Sequence, residues 1–182
     1  MQKHMMSEEP KLLTHTTSTT NNDIPPAQYT TNEQDLKEAA DIQNRLLSRA
    51  QQTTETENTD TSTNINDNIP SVSLDEGAYK YVLITANPPS TNQSRTFVYS
   101  KRNASYHKDV AQYLLPILEG ERYTNIRIKG GGRILRDVID KKIHIFGYSY
   151  GFGAADHSLA KSIVDQCEEY KGYTVTWSND GY

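Results

Sequence analysis

His107 stands in the run NASYHKDVAQYLLPILEG, where Tyr106, Val110, Tyr113, Leu114, Ile117 and Leu118 recur at helical spacing after Asn103, a candidate cap. An imidazole that titrates near neutrality can take a proton from water or give one to a leaving group. A single histidine beside an apolar stripe is nevertheless more often a packed residue. Further along, Gly147-Tyr148-Ser149-Tyr150-Gly151-Phe152-Gly153 leads from an expected strand into an expected helix. Glycines permit positive φ, so successive amides of this loop, with those of the following helix, can converge on an anion such as phosphate, the Ser149 hydroxyl being one more donor. The same pattern also reads as an ordinary glycine-rich connection. Gly130-Gly131-Gly132-Arg133 could let backbone approach something closely while Arg133 forks onto phosphate oxygens; the pattern alone reads more readily as a tight turn with a surface arginine. Lys80, on an apolar strand, is either an edge residue pointing to solvent or a cation for the same anion.

Other chemistries lack their residues. There is no G-x-x-x-x-G-K-[ST] run to cradle a nucleotide. The histidines at 4, 15, 107, 144 and 157 form no i, i+4 pair, and the lone cysteine offers no Cys/His cluster, so neither a metal nor another cofactor is expected. Cys167 has Tyr173 where a cysteine-dependent phosphatase needs its phosphate-holding arginine, and Glu168 and Glu169 disfavour a thiolate; it reads as a helix residue.

The elements that must position these groups lie in the C-terminal part. Of the 16 aromatic residues only Tyr29 precedes Ser71, and polar tracts such as QQTTETENTDTSTNINDN cannot bury enough apolar area to offset the entropy lost on folding. Residues 1–70 are therefore expected to be a disordered polar and acidic tail, with a transient helix at 33–50 and little part in the chemistry; residues 71–182 form the folded domain. Through Ser71 the chain carries 5 Lys/Arg and 11 Asp/Glu, and thereafter 14 and 12; the mildly basic domain suits a small anionic group and is no nucleic-acid surface. No apolar run approaches a membrane span, no signal peptide is visible, and one cysteine suits a reducing compartment, so cytosol or nucleus is the default, with a cytoplasmic protein and no membrane partner expected; a monomer is expected too.

AYKYVLIT reads as a strand sending Lys80, Val82 and Ile84 to one face and Tyr79, Tyr81 and Leu83 to the other. RTFVYS is a second strand, and the His107 helix follows, kinked or ended early by Pro116. YTNIRIK and RILRDV read as separate strands on either side of the glycines, with a polar turn near Asp140 returning the chain as KKIHIFGY. A helix from about 155 to 170 turns Leu159, Ile163 and Val164 inward, and YTVTWS closes the chain. The fold class is α/β (α+β): a mixed β-sheet of about six strands with two main helices packed on it.

Together KYVLI, YHKD, GGGRI, KKIHIFGYS, FGAADH and YTVTWSNDGY resemble, in order and spacing from Val72 to Tyr182, the phosphohistidine phosphatase family that includes the janus proteins. The resemblance implies a metal-free hydrolase removing phosphate from histidine, and sometimes lysine, of partner proteins. It implies His107 as catalytic residue, as general base or as a phosphorylated intermediate, and Lys80, Arg133, Ser149, Tyr150 and Gly151 as substrate contacts. The alternative it carries is a non-catalytic janus-type regulator that binds phosphorylated partners in development or sex differentiation. The chain departs from the phosphatase members at Tyr99, where they carry an arginine; Lys101 and Arg102 are the nearby positive charges. His157 is expected to bond within the helix–sheet seam, and His144 to be partly buried structure.

Overall fold

Alternation along one strand organises the domain. In a computed structural model describing residues 33–52, 69–91 and 93–181, strand β2 (Gly77–Asn87) carries Val82, Ile84 and Ala86 on one face and Tyr81 and Leu83 on the other, and both sets are buried. Both faces of the sheet are thus covered, as the pleat predicts. The remaining elements are α1 (Glu33–Gln52), β1 (Val72–Leu74), β3 (Arg95–Ser100), α2 (His107–Gly120), β4 (Thr124–Asp137), β5 (Lys142–Phe146), α3 (His157–Asp165) and β6 (Thr174–Trp177), with a 3-10 turn at Glu168–Tyr170. They make an α+β fold around a six-stranded mixed sheet of order β1-β3-β2-β4-β5-β6, parallel at the β1–β3 and β5–β6 pairs and antiparallel elsewhere. One core holds Val82, Ile84, Phe97 and Tyr99 beneath α1 and α2; the other holds Tyr81, Leu83, Ile134, Ile143 and Ile145 beneath α3. Burying a side chain such as Leu114 or Leu118 of α2 contributes about 1.5–3 kcal/mol, so these faces supply most of the driving force.

The structure differs from the sequence reading at several points. YTNIRIK and RILRDV are one 14-residue strand, β4, and the three glycines lie inside it. Glycine weakens an isolated strand, but here β2 pairs along the whole length, with Val82 opposite Gly131 and Lys80 opposite Arg133. A bulge falls where Leu83 pairs with Gly130 and Ile84 with Ile128, leaving Lys129 as the extra residue. Asn103 is not the α2 cap. It takes φ 65°, which asparagine tolerates, and the helix begins one residue after Tyr106. Pro116 sits on the exposed side and α2 runs on to Gly120. The buried stripe of α2 is Val110, Ala111, Leu114, Leu115 and Leu118, which leaves Tyr113 and Ile117 exposed; in α3 Leu159 is likewise exposed, while Ala160 and Val164 are buried. The hairpin turn is as expected, with Asp137 Oδ1 accepting from the amides of Ile139 and Asp140.

The largest difference concerns the tail. Residues 1–32 and 53–68 of it lie outside the described residues. Within the expected transient helix, however, α1 packs onto the first core through Ala39 and Leu46. Two apolar residues seven apart share one face of a helix, and the sheet supplies the surface that a free helix lacks. Arg45 and Arg49 add ion pairs to Glu119 of α2 at 3.3 and 3.5 Å, and Glu38 pairs with Lys108.

Candidate active site

His107 is the first residue of α2, and its motif neighbour Asp109 sets that turn: the Tyr106 amide donates to Asp109 Oδ2 at 2.8 Å while the Asp109 amide donates to the Tyr106 carbonyl at 3.1 Å. The imidazole is buried, and its Nε2 lies 2.9 Å from the Gly132 carbonyl oxygen. A carbonyl only accepts, so Nε2 carries the proton and Nδ1 keeps its lone pair, with no hydrogen bond among the described residues.

The glycine run makes this placement possible. A Cβ built on Gly131 would lie 2.9 Å from His107 Cδ2 and 3.2 Å from Ser149 Cβ, so the histidine ring and the 147–153 loop meet over a residue with no side chain. Gly132 likewise makes room for the rings of Tyr81 and His157 on the opposite face. Gly130, at φ 129°, lets β4 pass against the backbone of Ala154.

The loop closes on itself. Ser149 and Gly153 exchange amide–carbonyl bonds of 3.2 and 2.8 Å, Gly131 donates to the Gly153 carbonyl at 3.0 Å, and Phe152 donates to Ser149 Oγ at 3.1 Å. The amides of Tyr150 and Gly151, at the tip, are left without partners among the described residues. Two adjacent N–H groups are thus donors left open at the tip. Ser149 is fully buried, so its oxygen braces the turn rather than standing as an open donor.

Lys80 and Arg133 are cross-strand partners on the face that also carries Gly131. The Lys80 ammonium makes no hydrogen bond or ion pair among the described residues; burial, then the Arg133 charge, lowers its pKa. One arm of Arg133 donates to the Ala78 carbonyl at 3.2 Å. The structure therefore gathers His107, the Ser149 end of the loop, Lys80 and Arg133. It does not gather the charges near Tyr99. That side chain is buried and donates to the Pro70 carbonyl at 2.9 Å, while Lys101 and Arg102 engage Asp75 and Glu76.

His157 has the seam role expected of it. Its Nε2 donates to the Gly147 carbonyl at 2.8 Å and its Nδ1 accepts from the Tyr81 hydroxyl at 2.6 Å, which anchors the start of the loop to β2. His144 is half-buried, stacked on Phe146 and bonded to Thr176. The sequence reading missed Asp35 and Ala39 of α1, which lie against the site; the helical spacing within the tail was the available signal. Among the described residues no group of three or more His, Cys, Asp or Glu side chains could hold a metal, and no helix is long and apolar enough to cross a membrane.

Burial pushes the His107 imidazole down to about 4, with Lys80 and Arg133 adding to the effect and the Gly132 bond opposing it. The ring is neutral at pH 7. Because the unfolded chain takes up this proton at higher pH than the folded one, the stability linked to His107 is complete above about pH 6.5 and is lost as pH falls towards 4, on the order of 3 kcal/mol in all. The NMR signals of the His107 ring are thus expected to stay those of the neutral Nε2–H tautomer down to about pH 5. A ring titrating at the ordinary histidine value would contradict the burial that defines this site.

The fold and the site together define a class: an α+β domain in which a neutral, oriented histidine adjoins a glycine-rich loop and two cations. The Janus/Ocnus family model matches residues 66–174, and the chain belongs to that family. It is 38% identical over 120 residues to the 14 kDa phosphohistidine phosphatase of Sus scrofa, covering 63% of this chain and 93% of the pig protein. It is 34% identical over 120 residues to the protein of that name from Homo sapiens, covering 63% of this chain and 94% of the human one. Sex-regulated protein janus-B of Drosophila teissieri is 31% identical over 111 residues, covering 61% of this chain and 79% of that protein.

Proposed function

We propose that this chain is a protein phosphohistidine phosphatase that hydrolyses the P–N bond without a metal or cofactor, with His107 as general base. The observation that carries the reading is the Nε2–H bond of His107 to the Gly132 carbonyl, which leaves Nδ1 as the lone-pair acceptor of a ring that meets the 147–153 loop over Gly131. The relatives named phosphohistidine phosphatase supply the substrate class.

In this reading the amides of Tyr150 and Gly151, with Lys80 and Arg133, hold the phosphoryl oxygens. Water attacks phosphorus as its proton passes to Nδ1. The P–N bond breaks with its electron pair going to the substrate imidazole, which leaves neutral when its other nitrogen is already protonated. Little covalent work is required, because phosphoryl transfer runs through a loose transition state where positioning and charge stabilisation dominate. A bound phosphoryl dianion also offsets the charges of Lys80 and Arg133 that hold the His107 pKa down, so the substrate itself makes the base stronger.

The test is incubation of the full chain with a phosphohistidine peptide in the presence of a chelator. Release of inorganic phosphate with turnover is expected. Tight binding without release would replace the enzyme with the regulatory reading that the janus relatives bring.

A further inference from the structure

Helix α1 lies outside the 66–174 stretch that defines the family, yet it rests on the loop assigned to phosphate. A Cβ built on Gly151 would lie 2.6 Å from the Cβ of Ala39 and 3.8 Å from the Asp35 carbonyl oxygen. Ala39 is only 1% exposed, so the helix covers that side of the loop tip. One turn earlier Asp35 is 7% exposed, and its Oδ1 has no hydrogen bond among the described residues. Burial raises the Asp35 pKa, with Asp109 and Glu38 adding to the effect and Lys108 and, least of all, Lys80 opposing it. The neighbouring acid Glu38 holds Lys108, the residue after His107. The acidic first turns of α1 thus stand where the site's cations are, and the anchoring contacts of Leu46, Arg45 and Arg49 lie further along the helix.

We infer that α1 is an internal competitor, occupying the face on which the phosphoryl-bearing segment of a partner protein docks. The inference rests on the reading of Tyr150 and Gly151 as a phosphate loop. A phosphoryl group brings nearly two negative charges to a loop against which the buried Asp35 turn of α1 is packed, and it needs the space over Gly151 that Ala39 fills. The seated helix therefore disfavours the anion both by charge and by volume. By linkage, an anion bound at the loop must loosen α1 to the same degree. An unbonded carboxyl oxygen in a buried position weakens the seated state, which suits an element that has to leave.

The experiment titrates inorganic phosphate into the full chain and reads the Tyr150 and Gly151 amides by NMR, in the native sequence, in Asp35→Asn and in Leu46→Ala. Asp35→Asn removes the competing charge. Leu46→Ala loosens the helix at a position remote from the loop, so it can act on phosphate only through α1. Each variant is expected to bind phosphate at least about fivefold more tightly, and saturating phosphate is expected to reduce hydrogen-exchange protection along α1 in the native chain. Equal affinity in all three chains, with both amides responding, would overturn the competition and leave the phosphate loop standing. No response of these amides in any chain would remove the loop assignment, and this inference with it.

Discussion

His107→Ala is expected to lower the kcat for phosphohistidine hydrolysis by about 10²–10⁴-fold, the usual worth of a positioned base, with KM little changed. The split follows from the geometry. Tyr150 and Gly151 present their amides from a loop closed by its own Ser149–Gly153 bonds, so in the proposed reading phosphate is held without the imidazole. Stability at neutral pH is expected to fall, the Gly132 carbonyl losing its donor at a cost of about 1–3 kcal/mol; the deficit should narrow below about pH 6.5, where the native chain loses the stability linked to His107 and the variant does not. Steady-state kinetics beside phosphate binding by the same variant makes the measurement. Full turnover in the alanine variant would remove His107 from the chemistry.

Gly131→Ala should damage both fold and activity. The new methyl carbon would lie 2.6 Å from the Tyr81 carbonyl oxygen of the neighbouring strand, as well as against His107 and Ser149. Backbone in the middle of the β2–β4 ladder cannot swing aside as a side-chain tip can, so either the pairing opens or the imidazole and the loop are pushed apart. Overpacking of this kind costs about 1–3 kcal/mol or more, and a displacement near 1 Å in a reacting group lowers turnover about 10²-fold. Gly120→Ala is the matched control: no atom lies within 4 Å of its built Cβ, and thermal stability there should hold or rise. A Gly131→Ala protein with native melting temperature and native kcat would mean that the ring and loop do not meet over this residue.

Both predictions depend on contacts between residues far apart in the chain, and these were unevenly legible. Alternation along Tyr79–Ile84 correctly divided the two cores, because side-chain direction in a strand has a period of two whatever the partner. The glycines at 130–132 read as a tight turn, or as a point of close approach, and not as the interior of one strand. Whether glycine ends a strand depends on the neighbour that pairs with it, and that neighbour, β2, lies some fifty positions earlier. Helical spacing showed that 33–50 could turn its apolar residues to one side, but no local pattern states that a sheet waits opposite them.

The sequence by itself therefore determined the α+β class, the two-faced sheet, the family and the list of chemically capable residues, all carried by short-range periodicity and by motif order. Only the tertiary structure decided that Nε2 of His107 faces the Gly132 carbonyl, that Ser149 braces the loop while Tyr150 and Gly151 keep unpaired amides, that Tyr99 turns away to Pro70, and that α1 sits on Gly151. Each of these is a choice of partner among residues of similar local propensity, and it is made by volume and hydrogen-bond satisfaction in the packed interior, quantities that exist only once distant segments are brought together.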